Sequence, residues 1–560
     1  MKQSYKENRV ACWMGALIVI TLLAGTRIAF AGNDAADEAS ATIRPEAIRA
    51  DMRFLADDLL EGRGTGTRGH EIAAKFMASE FEAMGLEPAG DNGSYFQSVP
   101  LRAIDPDQER TTLSLWRGGK EQVLIFGQDF ISLADPGRTE VSVEARVVYV
   151  GFGVTATEQS YDDYAGIDAK GKIVAFVSGA PPQFESTMRA HYSSGAMKAA
   201  NAAAHGAVGA IALGSPAMEQ IHPFKERVSD LAFPDMRWLD TKGQPNDYFQ
   251  DLRGAVFLSL EATSSVFQGS GKSAEEIFAA VKEGKPSSMA LPVAAKIKTV
   301  SKFRDLRSPN VVARVTGSDP KLRDEYVVYT AHLDHLGIGQ PVKGDRIYNG
   351  ALDNASGSAC LLEIARAYTK MEPRPRRSIL FVSVTAEEAG LLGSDYFAHY
   401  PTVAKDRLIA NINIDGNLAL LWPIEDVIAR GSEHSTLGIT VQEAAARLSL
   451  DVSPDPFPEL VFFIRSDQYS FVKQGIPSVF PSVGTKSSDP NIQPQQTITK
   501  WRQTTYHKPQ DDMNQPFDFE SGAKYARYNF FLGYLVAQKT EKPAWNPGDF
   551  FGEHYAKKAN

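Results

Sequence analysis

The stretch that decides the fold is Ser378-Ile379-Leu380-Phe381-Val382-Ser383-Val384, which is followed after two residues by the acidic pair Glu387-Glu388. A short, mostly apolar run of this kind is typical of a strand whose sheet is covered on both faces. Comparable strands are predicted at 326–330 and 408–414, and helices at 356–368 and 391–400. This alternation predicts an α/β fold, with a mixed central sheet and helices on both faces.

Candidate functional residues follow these strands at the points where they end. His332 comes directly after the strand at 326–330, Glu387 and Glu388 follow 378–384, and Asp415 follows 408–414. In open α/β sheets, binding sites form at the carboxyl ends of the strands. We therefore expect these side chains to meet at one edge of the sheet.

The individual segments each have an ordinary alternative. Asp353 precedes a predicted helix, where a helix cap would explain it, although its two oxygens could also join two cations. Glu387 and Glu388 repel each other unless cations are near, which favours one metal ligand and one general base. A solvated acidic turn at a helix N-terminus is the alternative. His507 lies in a polar loop, and His335 stands too near His332 in sequence to serve easily beside it, but stays open as a substrate contact.

Composition excludes several classes of protein. The 560 residues are 43% hydrophobic and 23% charged, with a formal net charge of −9, which argues against nucleic acid as a partner. Cys12 and Cys360 are the only cysteines, so a cysteine-based metal site is excluded.

The first 31 residues have the pattern of a secretory signal peptide. Lys2, Lys6 and Arg9 precede an apolar run, and Ala29-Phe30-Ala31 is a small-x-small cleavage site. The run is about 14 residues long, short of the roughly 20 that a membrane anchor needs. We expect export to the periplasm or beyond, with no stable membrane association. Residues 32–45 are expected to form a mobile leader.

The remaining chain is divided into segments by its sequence pattern and predicted secondary structure. Residues 32–135 are predicted to be the first part of a catalytic domain, 136–290 an inserted α/β unit, 291–545 the main part and 546–560 a tail. The insert has strands at 172–177 and 207–213 around a helix at 198–205, without any acid–base constellation.

Together these segments resemble the bacterial zinc aminopeptidase family, the group of two-zinc exopeptidases that also contains glutamate carboxypeptidase II and the transferrin receptor ectodomain. The insert resembles the protease-associated domain that many members carry. The resemblance implies two zinc ions and the following roles: Asp353 as bridging ligand, His332 and Asp415 as ligands of one zinc, Glu388 and His507 as ligands of the other, Glu387 as general base, Asp334 as the acid that supports a ligand histidine, and Tyr506 as the tyrosine that polarises the scissile carbonyl. Two positions depart from the family pattern, Gln468 where histidine is common and Leu352 where an acid often precedes the bridging aspartate.

The implied function is hydrolysis of N-terminal peptide bonds in peptide or protein substrates. A carboxypeptidase that releases glutamate is the nearest alternative, for which Arg465 is the cationic residue at hand. A glutaminyl cyclase would bind one zinc, and a receptor-type binding module would have lost ligands.

Overall fold

The computed structural model describes residues 34–133 and 135–556, except for the side chains of Asp34 and Glu459. The predicted signal peptide therefore lies outside the described residues. Within the described ranges, no helix is both long and apolar enough to cross a membrane.

The sheet that carries the candidate residues is centred on the strand Tyr326–His332, which has a parallel neighbour on each side. These neighbours are Ser378–Val384 and Leu408–Asn413. Ser478–Val483 runs parallel to Leu408–Asn413, whereas the end of Met289–Val315 runs antiparallel to Ser378–Val384. The sheet is thus mixed, and its three central strands point the same way. Shorter or edge strands extend it at Glu87–Pro88, Phe96–Pro106, Asp235–Trp238, Asp426–Arg430 and Asp451–Val452.

Helices cover both faces of this sheet, because alternate strand residues point to opposite sides. Val327 and Tyr329 belong to the larger core, and Val328 packs with Phe397 and Phe471 on the other face. The helices of the larger core are Asp34–Ala41, Pro45–Leu55, Arg68–Ala83, Ser356–Lys370, Leu437–Arg447 and Phe519–Gln538. Leu392–His399 and Gln468–Val472 lie on the opposite face. The predicted α/β fold is confirmed.

A second sheet with its own apolar cores accounts for most of residues 112–300. Its strands are Thr112–Arg117, Lys120–Leu124, Phe130–Leu133, Glu140–Tyr149, Ile173–Val177, Gly209–Leu213 and Ala255–Leu258. Its helices are Ser186–Ser193, Gly195–Ala204, Pro216–Ile221, Phe224–Asp230, Leu260–Phe267 and Ala274–Lys282.

One strand belongs to both sheets. Met289–Val315 is 27 residues long; its first part pairs with Glu140–Tyr149 and its last part with Ser378–Val384. The predicted domain boundary at residue 290 falls at the beginning of this strand, and the division into domains stays a prediction.

The mobile leader predicted for residues 32–45 is wrong where the structure describes it. Asp34–Ala41 is a helix, with Ala36 and Ala39 buried in the larger core. The composition of this segment is polar, but alanines three positions apart lie on one helix face and allow close packing. At the other end of the chain, residues predicted as a tail include the helix Phe550–Tyr555, whose Phe551 is buried.

Candidate metal centre

The candidate residues lie where the three parallel strands end. His332 is the last residue of its strand, Glu387 and Glu388 follow Ser378–Val384 by three and four residues, and Asp415 follows Leu408–Asn413 by two. Because the strands are parallel neighbours, their ends share one edge of the sheet. The loops from these strands bring the side chains together with Asp353 and His507.

The first group consists of His332, Asp353 and Asp415, whose potential ligand atoms all lie within 4.8 Å of one another. His332 Nε2 is 3.2 Å from Asp353 Oδ1 and 3.2 Å from Asp415 Oδ1. Burial works against a charged imidazole here, but the charges of Asp415 and Glu387, with hydrogen bonds that the imidazole donates to Asp353 and Asp415, raise the pKa of His332 well above its ordinary value. One imidazole thus faces two carboxylates in a buried place.

The second group contains the other oxygen of the same aspartate. His507 Nε2 lies 3.2 Å from Asp353 Oδ2 and 3.2 Å from Glu388 Oε2. Asp353 therefore presents Oδ1 to one histidine and Oδ2 to another, which is the arrangement expected of a carboxylate that joins two cations.

His335 is a member of this second group that the sequence did not assign. Its Nδ1 lies 2.7 Å from Glu388 Oε1, and His335, Asp353 and Glu388 have potential ligand atoms within 4.8 Å of one another. Its Nε2 is buried and has no hydrogen-bond partner among the described residues. The reason for setting His335 aside was its closeness to His332, yet the loop turns so that His335 faces Glu388 instead. A second histidine in the same strand-end loop was the available signal.

These donors fit divalent zinc. Imidazole nitrogens and carboxylate oxygens are common zinc ligands. The described donor set contains imidazoles and carboxylates from several loops in a largely buried place, where uncompensated negative charge is costly. Bound cations would remove that cost.

The adjacent acids Glu387 and Glu388 have opposite electrostatic environments. Burial and the charges of Asp415, Glu388 and Asp467 raise the pKa of Glu387 well above its usual range, against the effect of His332. For Glu388, burial is outweighed by His507 and His335, which lower its pKa to about 2. Two neighbouring carboxyl groups with divergent pKa values are suited to different roles.

Asp334 supports the site differently from the expectation. Its carboxylate accepts hydrogen bonds from the backbone N–H groups of Glu387, at 3.1 Å, and Glu388, at 3.3 Å. It lies 4.0 Å from His332 Nδ1, too far for a hydrogen bond, and Nδ1 is instead 3.0 Å from the main-chain carbonyl oxygen of Asp334. The carboxylate of Asp334 thus fixes the acidic turn, and its carbonyl orients the imidazole.

The loop of Asp353 is held by buried polar contacts. Asp511 accepts the backbone N–H groups of Leu352 and Asp353, at 3.0 and 2.9 Å. The side chain of Asn354 donates to the carbonyl of Ile414 and accepts from the N–H of Gly416, both at 3.0 Å. The bridging candidate is thereby tied to the loop of Asp415.

Arg63 is a second residue that the sequence did not single out, because it lies in a stretch interpreted only as a glycine-rich break. Its side chain is fully buried and donates to the carbonyls of Leu333, Asn349 and Gly350, at 2.8, 2.6 and 3.0 Å, and also to Leu55. Arg63 therefore joins the loop after His332 to the loop before Asp353.

Tyr506 and Ser466 complete the surroundings. The Tyr506 ring stacks on the His507 ring with centroids 3.8 Å apart, and both Tyr506 and Glu387 line the cavity at the metal groups. Ser466 donates to Asp415 Oδ2 at 2.6 Å and accepts from Asn413 at 2.7 Å. Every residue assigned from the sequence therefore lies in or against this one site.

Comparison with known proteins agrees with this geometry. Residues 310–528 match the profile described as Peptidase family M28. Aminopeptidase NAALADL1 of Mus musculus is 37% identical over 134 residues, which cover 22% of this chain and 16% of the relative. A probable glutamate carboxypeptidase of Arthroderma benhamiae is 32% identical over 146 residues, covering 25% of this chain and 18% of the relative. The chain thus spans less than a fifth of the length of these relatives.

The fold has a counterpart over nearly the whole chain. The aminopeptidase from Aneurinibacillus sp. strain AM-1 superposes with a TM-score of 0.52 at 20% identity, covering 92% of this chain and 99% of that one. At this identity the likeness concerns the fold.

Proposed function

We propose, from the match of residues 310–528 to the profile of Peptidase family M28, that the protein is a zinc-dependent aminopeptidase with two metal sites. His332, Asp353 and Asp415 would hold one ion. Asp353, Glu388 and His507 would hold the other, with His335 beside them. The second sheet, which has its own apolar cores, supports the assignment of the insert as a protease-associated domain.

The observation that carries the proposal is that the two oxygens of the Asp353 carboxylate face different histidines. Its two oxygens each lie 3.2 Å from a different imidazole, His332 on one side and His507 on the other. A carboxylate placed only to cap a helix would not require two histidines from distant loops.

Glu387 is the residue for proton transfer. Two zinc ions in these groups would supply Lewis-acid polarisation of the scissile carbonyl and of the attacking water. Glu387 lines the cavity beside Asp353 and Asp415. The charge of bound cations would favour its ionised form, in which it would take a proton from the water and return it to the leaving amine. Tyr506 lines the same cavity, where its hydroxyl would orient the substrate carbonyl.

The test is hydrolysis of L-leucine 4-nitroanilide by the full chain, together with zinc analysis by mass spectrometry. We expect two zinc ions per chain, loss of hydrolysis after chelation and recovery when zinc is added back. Hydrolysis that persists in metal-free protein would contradict the proposal.

A parallel assay with an N-acetylated dipeptide separates the alternative exopeptidase. An aminopeptidase leaves the blocked peptide intact, whereas a carboxypeptidase cleaves it. A content of one zinc per chain would favour the cyclase-like alternative.

A further inference from the structure

The metal groups form one end of a cavity whose other end is lined by different kinds of side chain. Asp353, Glu387 and Asp415 line the first end. The rest of the wall is mostly apolar and aromatic, and it also contains three arginines. The aromatic wall residues are Phe457, Phe462, Phe480, Trp501 and Tyr506.

The three arginines gather around a single ring. The guanidinium carbons of Arg430, Arg465 and Arg502 lie 4.8, 5.9 and 4.7 Å from the centroid of Phe462. Arg502 also lies 5.6 Å from the ring of Tyr506, which stacks on His507. The arginine cluster, meaning these three side chains, is therefore close to the metal groups.

The positive charge of this cluster is not balanced by the described side chains. Arg430 forms an ion pair with Asp455, at 2.7 Å. Among the side chains that the structure describes, Arg465 and Arg502 have neither an ion pair nor a hydrogen bond, and their contacts are with aromatic rings. Burial first, and then the charges of Arg465 and Arg430, lower the pKa of Arg502, although Tyr506 opposes this.

Stacking on rings leaves the guanidinium N–H groups available. A cation over an aromatic face is held through the ring and not through its hydrogen-bond donors. The free edge of a guanidinium matches the two oxygens of a carboxylate. The carboxylates at the metal end do not accept from these guanidinium groups, because they face histidines and would bind the cations.

Resting on the proposed function, we propose that the arginine cluster binds a carboxylate of the substrate within one residue of the scissile bond. Arg465 adjoins Ser466, which bonds to Asp415, and Arg502 adjoins Tyr506 in space. Both therefore lie near the place where the cleaved bond must sit. That carboxylate is either the side chain of an acidic N-terminal residue or the terminal carboxylate of a dipeptide.

Matched substrates distinguish these two sources. Glutamyl and glutaminyl 4-nitroanilide differ only in the side-chain carboxylate, and Leu-Leu and Leu-Leu-amide differ only at the terminus. In one of the pairs we expect kcat/KM to be higher for the carboxylate by at least about tenfold, the effect of one charge-assisted hydrogen bond. Equal values in both pairs would overturn the proposal.

Two variants assign any preference to the cluster. R465Q changes an exposed residue and R502Q a half-buried one, so a folding defect in the second leaves the first informative. Each is expected to lower the ratio of kcat/KM within the preferred pair toward one. R323Q, at an exposed arginine outside the cavity, should keep the wild-type ratio. A ratio unchanged in both R465Q and R502Q would overturn the assignment.

Failure of the proposed function is distinguishable from failure of this inference. If the chain cleaves no peptide, calorimetric titration with L-glutamate and L-glutamine still tests the cluster, since the two ligands differ only in the side-chain carboxylate. Binding of glutamate at least about tenfold tighter, or about 1.4 kcal/mol, with loss in R502Q, supports the inference. Equal affinities for this pair, together with equal affinities for Leu-Leu and Leu-Leu-amide, overturn it.

Discussion

The two ends of the cavity hold their charged groups in different ways. At the metal end, His332 and the loops of Asp353 and Asp415 are fixed by buried hydrogen bonds to Asp334, Asp511 and Asn354. At the other end, Arg465 and Arg502 rest on aromatic rings at the end of a 3-10 turn and on the helix Pro494–Thr504. The contrast indicates that the sheet edge positions the groups for the chemistry, whereas Arg465 and Arg502, which would set the preference for substrates, lie on segments outside the sheet.

The largest effect is expected from removing the proton-transfer group at the metal end. E387Q should lower kcat by about 10²–10⁴-fold, the usual contribution of a general base. The bound zinc and the ratio between acidic and neutral substrates should be unchanged, because the arginine cluster is intact. Steady-state kinetics with zinc analysis measures both, and E82Q, at an exposed glutamate, is the matched control. A changed ratio between acidic and neutral substrates would show that the metal end and the arginine cluster do not act independently.

The next effect concerns the rigidity of the metal end. R63M leaves the buried carbonyls of Leu333, Asn349 and Gly350 without their donor. We expect the zinc affinity to fall by about 10–100-fold, as for other residues that position ligands, and Tm to fall as well. Competition with a chelator gives the affinity, and R53M, on an exposed residue of the preceding helix, should match wild type. Full zinc affinity in a destabilised R63M protein would limit Arg63 to a role in folding.

A smaller effect is expected from ionic strength, which should weaken binding by the arginine cluster more than the reaction at the metal end. Raising the ionic strength from about 0.01 to about 1 M shortens the screening length from about 30 to about 3 Å. The preference for the carboxylate substrate should fall severalfold, because Arg465 is exposed. The kcat/KM for L-leucine 4-nitroanilide should change little over the same series. Parallel losses for both substrates would indicate a general effect of salt.

The smallest effect is a pH dependence of the zinc-free protein. Burial disfavours the charged imidazole of His507, but Glu388 and Asp353 raise its pKa from 6.5 to about 10. The stability gained from this raised pKa is fully present below pH 6.5 and is lost as the pH rises toward 10. The Tm of zinc-free protein should therefore fall by roughly a few degrees over this range.

Zinc-loaded protein is the control, because a metal-bound histidine carries no such proton. Calorimetric scans between pH 6.5 and 10 compare the two forms. A Tm that rises with pH in the zinc-free protein alone would contradict the charged pair.

Much of the metal end could be predicted because its residues follow strands of clear pattern. Ser378–Val384 has the predicted bounds, and the side chains after it lie where parallel strand ends meet. His335 and Arg63 were missed because their roles depend on how loops turn: His335 reaches Glu388 only through a bend, and Arg63 acts on carbonyls distant in sequence. A hydrogen bond to a main-chain carbonyl cannot be recognised from the sequence, because every residue carries that acceptor.

Most of the arginine cluster could not be predicted from the sequence, for a different reason. Arg465 was noted alone, whereas Arg430 and Arg502 come from a strand end and a helix that share no motif with it. Phe462 brings the three together through packing, which no spacing rule encodes. Contacts between segments that are distant in sequence therefore decided what could be predicted.

The strand Met289–Val315 couples the stability of the second sheet to that of the sheet that carries the candidate residues. Its 27 residues donate to and accept from both sheets, so melting either sheet leaves half of one continuous strand without hydrogen-bond partners. Two modules joined by a pliable linker could denature in separate steps. Here we expect a single cooperative unfolding transition, in which the predicted insert does not unfold separately from the rest of the protein and could not be deleted without destabilising it.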